Sequence, residues 1–178
     1  MSPMPTLAAP LQQREVPMGQ LKIGGPDEQL HAILGSCVGI GFIWKRGGRC
    51  GLAHCLLPEA PAAPAGTPGA LAALGARYVS QAVPSLLSLM GVREKDYADL
   101  EVVLAGGANM FQAESQFFQV GRRNAEAALK HLSQRGLKVI CSDVGGNSGR
   151  QMFIDCGARG FIITGFAGQH KEDLYGGH

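Results

Sequence analysis

The sequence predicts an α/β (α+β) fold: one domain, a mixed α/β/β sandwich with helices packed on a mostly antiparallel pair of sheets. Three observations lead there. Short β-type runs stand among helical stretches without strict alternation, the pattern of a mixed sandwich. Two of those runs, 38–44 and 49–57, flank Gly47-Gly48 as a hairpin would. With 178 residues, 46% hydrophobic and 17% charged, the chain suits a single domain with a sizeable core.

In chain order, Pro3, Pro5, Pro10 and Pro17 mark residues 1–17 as a flexible N-terminal tail ahead of a domain over 18–166. Residues 20–23 and 29–34 read as short strands, followed by the pair around Gly47-Gly48. Pro58, Pro61, Pro64 and Pro68 make 58–69 a long Pro/Ala-rich loop. Residues 70–90 have helical composition, although Pro84 must kink or split that helix. The apolar run 100–105 is a strand ending at Gly106-Gly107. The clearest amphipathic helix is 124–135, with Ala125, Ala128, Leu129 and Leu132 on one side and Gly136 beyond its end. Strands at 137–141, 152–156 and 161–164 follow, the last two as a hairpin, and 167–178 reads as a second tail.

Composition excludes several classes of function. A net charge of +2 with no long Lys/Arg run argues against nucleic acid or an anionic membrane as partner. No apolar run approaches the roughly 20 residues of a membrane span. The N-terminus lacks the basic segment, apolar core and cleavage site of a secretory signal, so the expected compartment is the reducing cytoplasm. Five cysteines, an odd number without a CxxC pair, argue against a disulfide framework and against an ordinary zinc site.

The chemistry is carried by Leu34-Gly35-Ser36-Cys37-Val38-Gly39 and, seventeen residues beyond the cysteine, His54 in Ala53-His54-Cys55. A free thiol is only a few per cent ionised at neutral pH, so a catalytic cysteine needs a neighbour that takes its proton. Histidine does this best, because it can accept the thiol proton and return it to a departing amine. Cys37 therefore reads as nucleophile and His54 as base. Small residues around the thiol leave the backbone open to a substrate carbonyl, which makes Gly35 and Ser36 candidates for the oxyanion side of the cleft. Cys55 should face the other side of its strand and serve as a small apolar residue. Cys50 shares the parity of His54 but stands roughly 13 Å away along a strand. Cys141 and Cys156 sit in apolar strand patterns.

One difficulty follows from register. A tight turn at Gly47-Gly48 sets His54 opposite Gly41, four residues and roughly 13 Å from Cys37. Cys37 must then lie in a bend before its strand, or the hairpin must carry a bulge or a longer loop. The loops at 106–109 and 145–150 lack the spaced glycines and terminal Lys-Ser/Thr of a phosphate cradle, and read as sharp strand ends lining the cleft. Asn109 and Asn147 within them are candidates to hold a substrate amide.

The chain resembles the CheD family, the chemoreceptor glutamine deamidases of bacterial chemotaxis. The resemblance rests on Leu34-Gly35-Ser36-Cys37-Val38, on Ala53-His54 with Leu57-Pro58 following, on Gly106-Gly107-Ala108-Asn109-Met110-Phe111, on Gly121 to Asn124, and on Asp143-Val144-Gly145-Gly146-Asn147. It implies hydrolysis of receptor glutamine side chains to glutamate, and of receptor methyl esters, by Cys37 and His54 through a thioester, with no metal or organic cofactor. It also implies the cytoplasmic domains of chemoreceptors (methyl-accepting chemotaxis proteins) as partners. In the family a threonine six residues before the cysteine assists the histidine; here that position is His31. An alternating strand through 30–37 would put His31 on the face of Cys37, where it would orient His54 or offer a second base. The resemblance leaves open a non-catalytic adaptor that binds a CheC-type phosphatase or the receptor, and the dyad alone leaves open a hydrolase of other specificity, such as a peptidase.

Overall fold

The strand over 38–44 is buried along almost its whole length, and a strand buried on both faces requires a layer on each side. The structure, a computed structural model that describes residues 10–62, 74–110 and 119–166, supplies both layers. Its elements run β1 (Gln12–Glu15), β2 (Leu21–Gly24), β3 (Glu28–Leu34), β4 (Val38–Trp44), β5 (Arg49–Cys55), α1 (Val79–Met90), a 3₁₀ turn (Glu94–Asp99), β6 (Leu100–Gly106), α2 (Val120–Gln134), β7 (Lys138–Val144), β8 (Arg150–Asp155) and β9 (Gly160–Gly165). One sheet has the order β2-β5-β4-β6-β7 and the other β1-β3-β8-β9. Of the seven pairings only β1 with β3 and β6 with β7 are parallel, which makes the pair of sheets mostly antiparallel, as expected from the sequence.

Side-chain alternation divides the interior in two. Val38, Ile40 and Phe42 of β4 turn toward α1 and α2, where they meet Val83, Leu86, Ala128 and Leu132. The opposite face of the five-stranded sheet, with Cys37, Leu52 and Val103, packs on Leu30, Leu34, Met152 and Ile154 of the four-stranded sheet. Gly39 and Gly41 occupy that second face. A Cβ at Gly39 would stand 2.8 Å from Leu34 Cδ1, and one at Gly41 2.6 Å from Ile154 Cδ1, so their small size lets the two sheets close.

Several expectations need correction. Residues 10–17 are not a tail, because β1 pairs with β3 and Val16 is buried between the sheets. Residues 1–9, 63–69 and 167–178, expected as tail or loop, lie outside the described residues. The helix expected over 70–90 is α1 alone; it carries Pro84 inside it, while Tyr78 before it is extended and bridges to Leu57. Residues 70–73 lie outside the described set. The helix expected from residue 124 begins at Val120, which moves Asn124 from its end to its interior. The β4–β5 turn spans residues 45–48, with Trp44 opposite Arg49, rather than two glycines. Cys50 and Cys156, 106 residues apart, form a disulfide with Cα atoms 5.4 Å apart, contrary to the expectation that no disulfide occurs. The fold, not the spacing along the chain, brings those two sulfurs together.

Candidate active site

Strand β3 ends at Leu34, and residues 35–37 bend before β4 begins. Every carbonyl of that bend is held from one side: Gly35 O accepts from the Ala108 N–H at 3.0 Å, Ser36 O from Asn124 Nδ2 at 3.0 Å, and Cys37 O from the Gly107 N–H at 2.8 Å. The close approach depends on Gly106, whose φ of 101° and lack of a Cβ leave room for the Cys37 carbonyl. Behind it, buried Arg150 donates to Gly106 O at 3.0 Å and Gly145 O at 2.7 Å and pairs with Asp143 at 3.3 Å. The turn carrying the thiol is thus gripped by a loop that is itself braced.

The longer β4–β5 loop resolves the register difficulty. It shifts the pairing by two residues, so that His54 lies opposite Gly39, two residues from Cys37 on the same face. Diagonal neighbours of this kind have Cα atoms about 7–8 Å apart, within reach of side chains. His54 is only 3% exposed, and its Nδ1 lies 2.9 Å from Val16 O. A carbonyl can only accept, so Nδ1 carries the proton and Nε2 keeps its lone pair. Nε2 is buried without a hydrogen-bond partner.

Electrostatics agree with a neutral pair. Burial lowers the His54 pKa from its ordinary value, against a raising effect of the Val16 hydrogen bond and the Glu15 charge. Burial raises that of Cys37, while the main-chain N–H of the same residue acts in the other direction. Burial thus favours the neutral form of each of the two groups. Cys55 faces the helices, and burial first, then the charge of Cys37, push its thiol far up, which leaves it inert.

His31 is placed elsewhere. Leu30, Ala32 and Leu34 face the other sheet, whereas the His31 ring stacks on Phe153 at 4.5 Å on the outer face. The bend after Leu34 breaks the alternation on which the expectation of a shared face with Cys37 relied. The connection of His31 to His54 runs through main chain: the Val16 N–H donates to His31 O at 2.7 Å, and Val16 O accepts from His54. Asn109 and Asn147 are exposed and line one cleft of about 490 Å³ together with Gly107, Ala125 and Leu129, and the Asn109 N–H donates to Gly146 O at 2.8 Å. That cleft adjoins the turn at 35–37 through Gly107, and Cys37 is not among its lining residues.

Two contributors escaped sequence reasoning. A carbonyl such as that of Val16 leaves no trace in residue type. Asn124 did leave one: it stands on the buried Ala125–Ala128–Leu132 side of α2, where a poor helix former with no capping role needs a reason. Among the described residues, no cluster of three His, Cys, Asp or Glu side chains is placed to hold a metal ion, and no helix is long and apolar enough to cross a membrane.

Comparison with known proteins places these features in a family context. A family model described as CheD chemotactic sensory transduction matches residues 56–163, beginning just after His54. The chain is similar to a probable chemoreceptor glutamine deamidase CheD 2 of Ruegeria sp. (strain TM1040), at 41% identity over 79% of this chain and 85% of that protein. It is similar to probable chemoreceptor glutamine deamidases CheD of Bdellovibrio bacteriovorus, at 35% identity over 80% and 88%, and of Methanococcus vannielii, at 34% over 79% and 86%.

Proposed function

Because this chain belongs to the CheD family, we propose that it deamidates glutamine side chains of chemoreceptors to glutamate, with Cys37 as nucleophile and His54 as base. The observation that carries the reading is His54 Nε2: a buried acceptor without a partner, its ring held from behind by Val16, diagonal to the only cysteine in the bend. As the sulfur attacks the side-chain carbonyl carbon, Nε2 takes the thiol proton. The C–N bond then breaks, His54 gives that proton to the departing ammonia, and a thioester joins Cys37 to the receptor. Water, deprotonated by His54, hydrolyses the thioester to glutamate and restores the thiol. The Cys37 main-chain N–H supplies a donor to the oxyanion. The same acyl chemistry extends to receptor methyl esters, with methanol in place of ammonia.

The test is to incubate a receptor cytoplasmic fragment with the protein and, separately, with Cys37→Ser, and to follow glutamine-to-glutamate conversion by mass spectrometry. Conversion by the native protein alone is the expected result. Conversion by both, or by neither, refutes the mechanism.

A further inference from the structure

Asn124 is wholly buried in α2, and both partners of its Nδ2 are main-chain carbonyls: Ser36 O at 3.0 Å and Leu56 O at 2.8 Å. Two acceptors fix which end of the amide faces them, since only the nitrogen can donate. One side chain therefore joins the residue before Cys37 to the segment two residues past His54. Its Oδ1 is buried with no hydrogen-bond partner, a destabilising arrangement that an apolar residue would not carry.

The geometry of one peptide gives this clamp a chemical meaning. Ser36 O and the Cys37 N–H belong to the same planar unit, and among the described residues no peptide is cis. In a trans peptide the carbonyl and the N–H point in opposite directions. Holding Ser36 O toward α2 thus turns the Cys37 N–H away from the helix. The flanking Gly35 and Cys37 carbonyls are held by the 107–108 backbone, so Asn124 alone among these contacts grips the peptide that carries the nucleophile's own amide.

We propose that Asn124 is a positioning residue for the reaction: by anchoring Ser36 O and Leu56 O it aims the Cys37 N–H at the sulfur and at the oxyanion that forms beside it, and holds the two catalytic segments in register. This rests on Cys37 as the nucleophile of the proposed deamidase.

The experiment reads the thiol directly. Iodoacetamide alkylation of Cys37 is followed by mass spectrometry across pH in the native protein, in Asn124→Ala, and in Leu132→Val, which loosens the same helix without touching either carbonyl. Loss of the N–H from the thiolate slows Asn124→Ala alkylation about three- to tenfold at neutral pH, and the rates converge in strong alkali, where the thiol is fully ionised. Leu132→Val keeps the native profile. An Asn124→Ala profile superimposed on the native one, or an equal displacement in Leu132→Val, overturns the proposal. If Asn124→Ala does not fold, Asn124→Ser, which retains one donor, is read in the same way. On a receptor fragment, Asn124→Ala lowers kcat about a hundredfold, as loss of an oxyanion donor does, with KM within about threefold. A rise in KM at constant kcat overturns the proposal. A native protein inactive on the fragment refutes the deamidase reading, while the alkylation profiles still decide the role of Asn124.

Discussion

Deleting residues 1–16 removes a segment that composition marks as a tail, and the structure predicts that it disables the enzyme while His31→Ala does not. Val16 is 1% exposed, so its side chain contributes about 1.5–3 kcal/mol of burial. Without Val16 O, the His54 Nδ1–H is left buried and unpaired, a cost of about 1–3 kcal/mol. Together these amount to about 2.5–6 kcal/mol, before the lost β1–β3 pairing is counted, a large part of the 5–15 kcal/mol typical of a domain, so the shortened protein has a markedly lowered midpoint. The rate suffers more. An imidazole free to change tautomer or rotate loses its aim, and in a serine-protease triad that defect costs about 10⁴-fold; a loss of about 10²–10⁴-fold is expected here. His31→Ala keeps the carbonyl that receives the Val16 N–H and removes only the stack on Phe153, about 0.5–1.5 kcal/mol. Its activity should stay within about threefold of native, in line with substitutions that do not touch the reacting groups. Glutamate formation on a receptor fragment is measured below each variant's unfolding midpoint, with urea curves in parallel. A truncated protein within tenfold of native, or a His31→Ala protein as impaired as the truncated one, refutes the main-chain link.

The other expectations follow from the same geometry. Since burial lowers the His54 pKa, the acid limb of kcat/KM should fall below the ordinary histidine value of 6.5, and Glu15→Gln should move it lower still by removing the charge that raises it. By the same linkage the unfolded chain binds a proton at His54 first as pH falls, so stability should decline below about pH 6.5 and His54→Gln should flatten that slope, as urea midpoints across pH will show. Gly106→Ala introduces a side chain at a φ of 101° against the Cys37 carbonyl; the strain and the displaced turn should cost about 2–6 kcal/mol in urea titration and abolish measurable activity. Cys55→Ala, on the helix side of β5, should leave the rate within about threefold of native in the same assay, because that thiol does not ionise.

Much of the architecture was legible because period-two and period-3.6 patterns are local. The strand over 38–44 was read with its final bounds, and the hairpin of β8 and β9 was recognised from two apolar runs. The errors fall where a partner from elsewhere in the chain decides. β1 carries four prolines' worth of disorder signal around it, yet pairs with β3 because that strand's edge is open beside it. The turn at 45–48 is two residues longer than Gly47-Gly48 suggests, and that difference moves His54 from Gly41 to Gly39. His31 was assigned by parity across a bend at 35–37 that parity does not survive.

By itself, the sequence determined the residue types able to do the chemistry, one thiol among small residues and one imidazole downstream, together with the layered class of the fold. It did so because nucleophilicity, basicity and hydrophobic periodicity belong to side chains. Only the tertiary structure decided which groups hold those two side chains: the Val16 carbonyl behind His54, the 106–108 backbone and Asn124 behind the Cys37 turn, and the Cys50–Cys156 link between sheets. Those are main-chain groups and long-range contacts, and every residue carries the same amide and carbonyl until the fold gives each its direction.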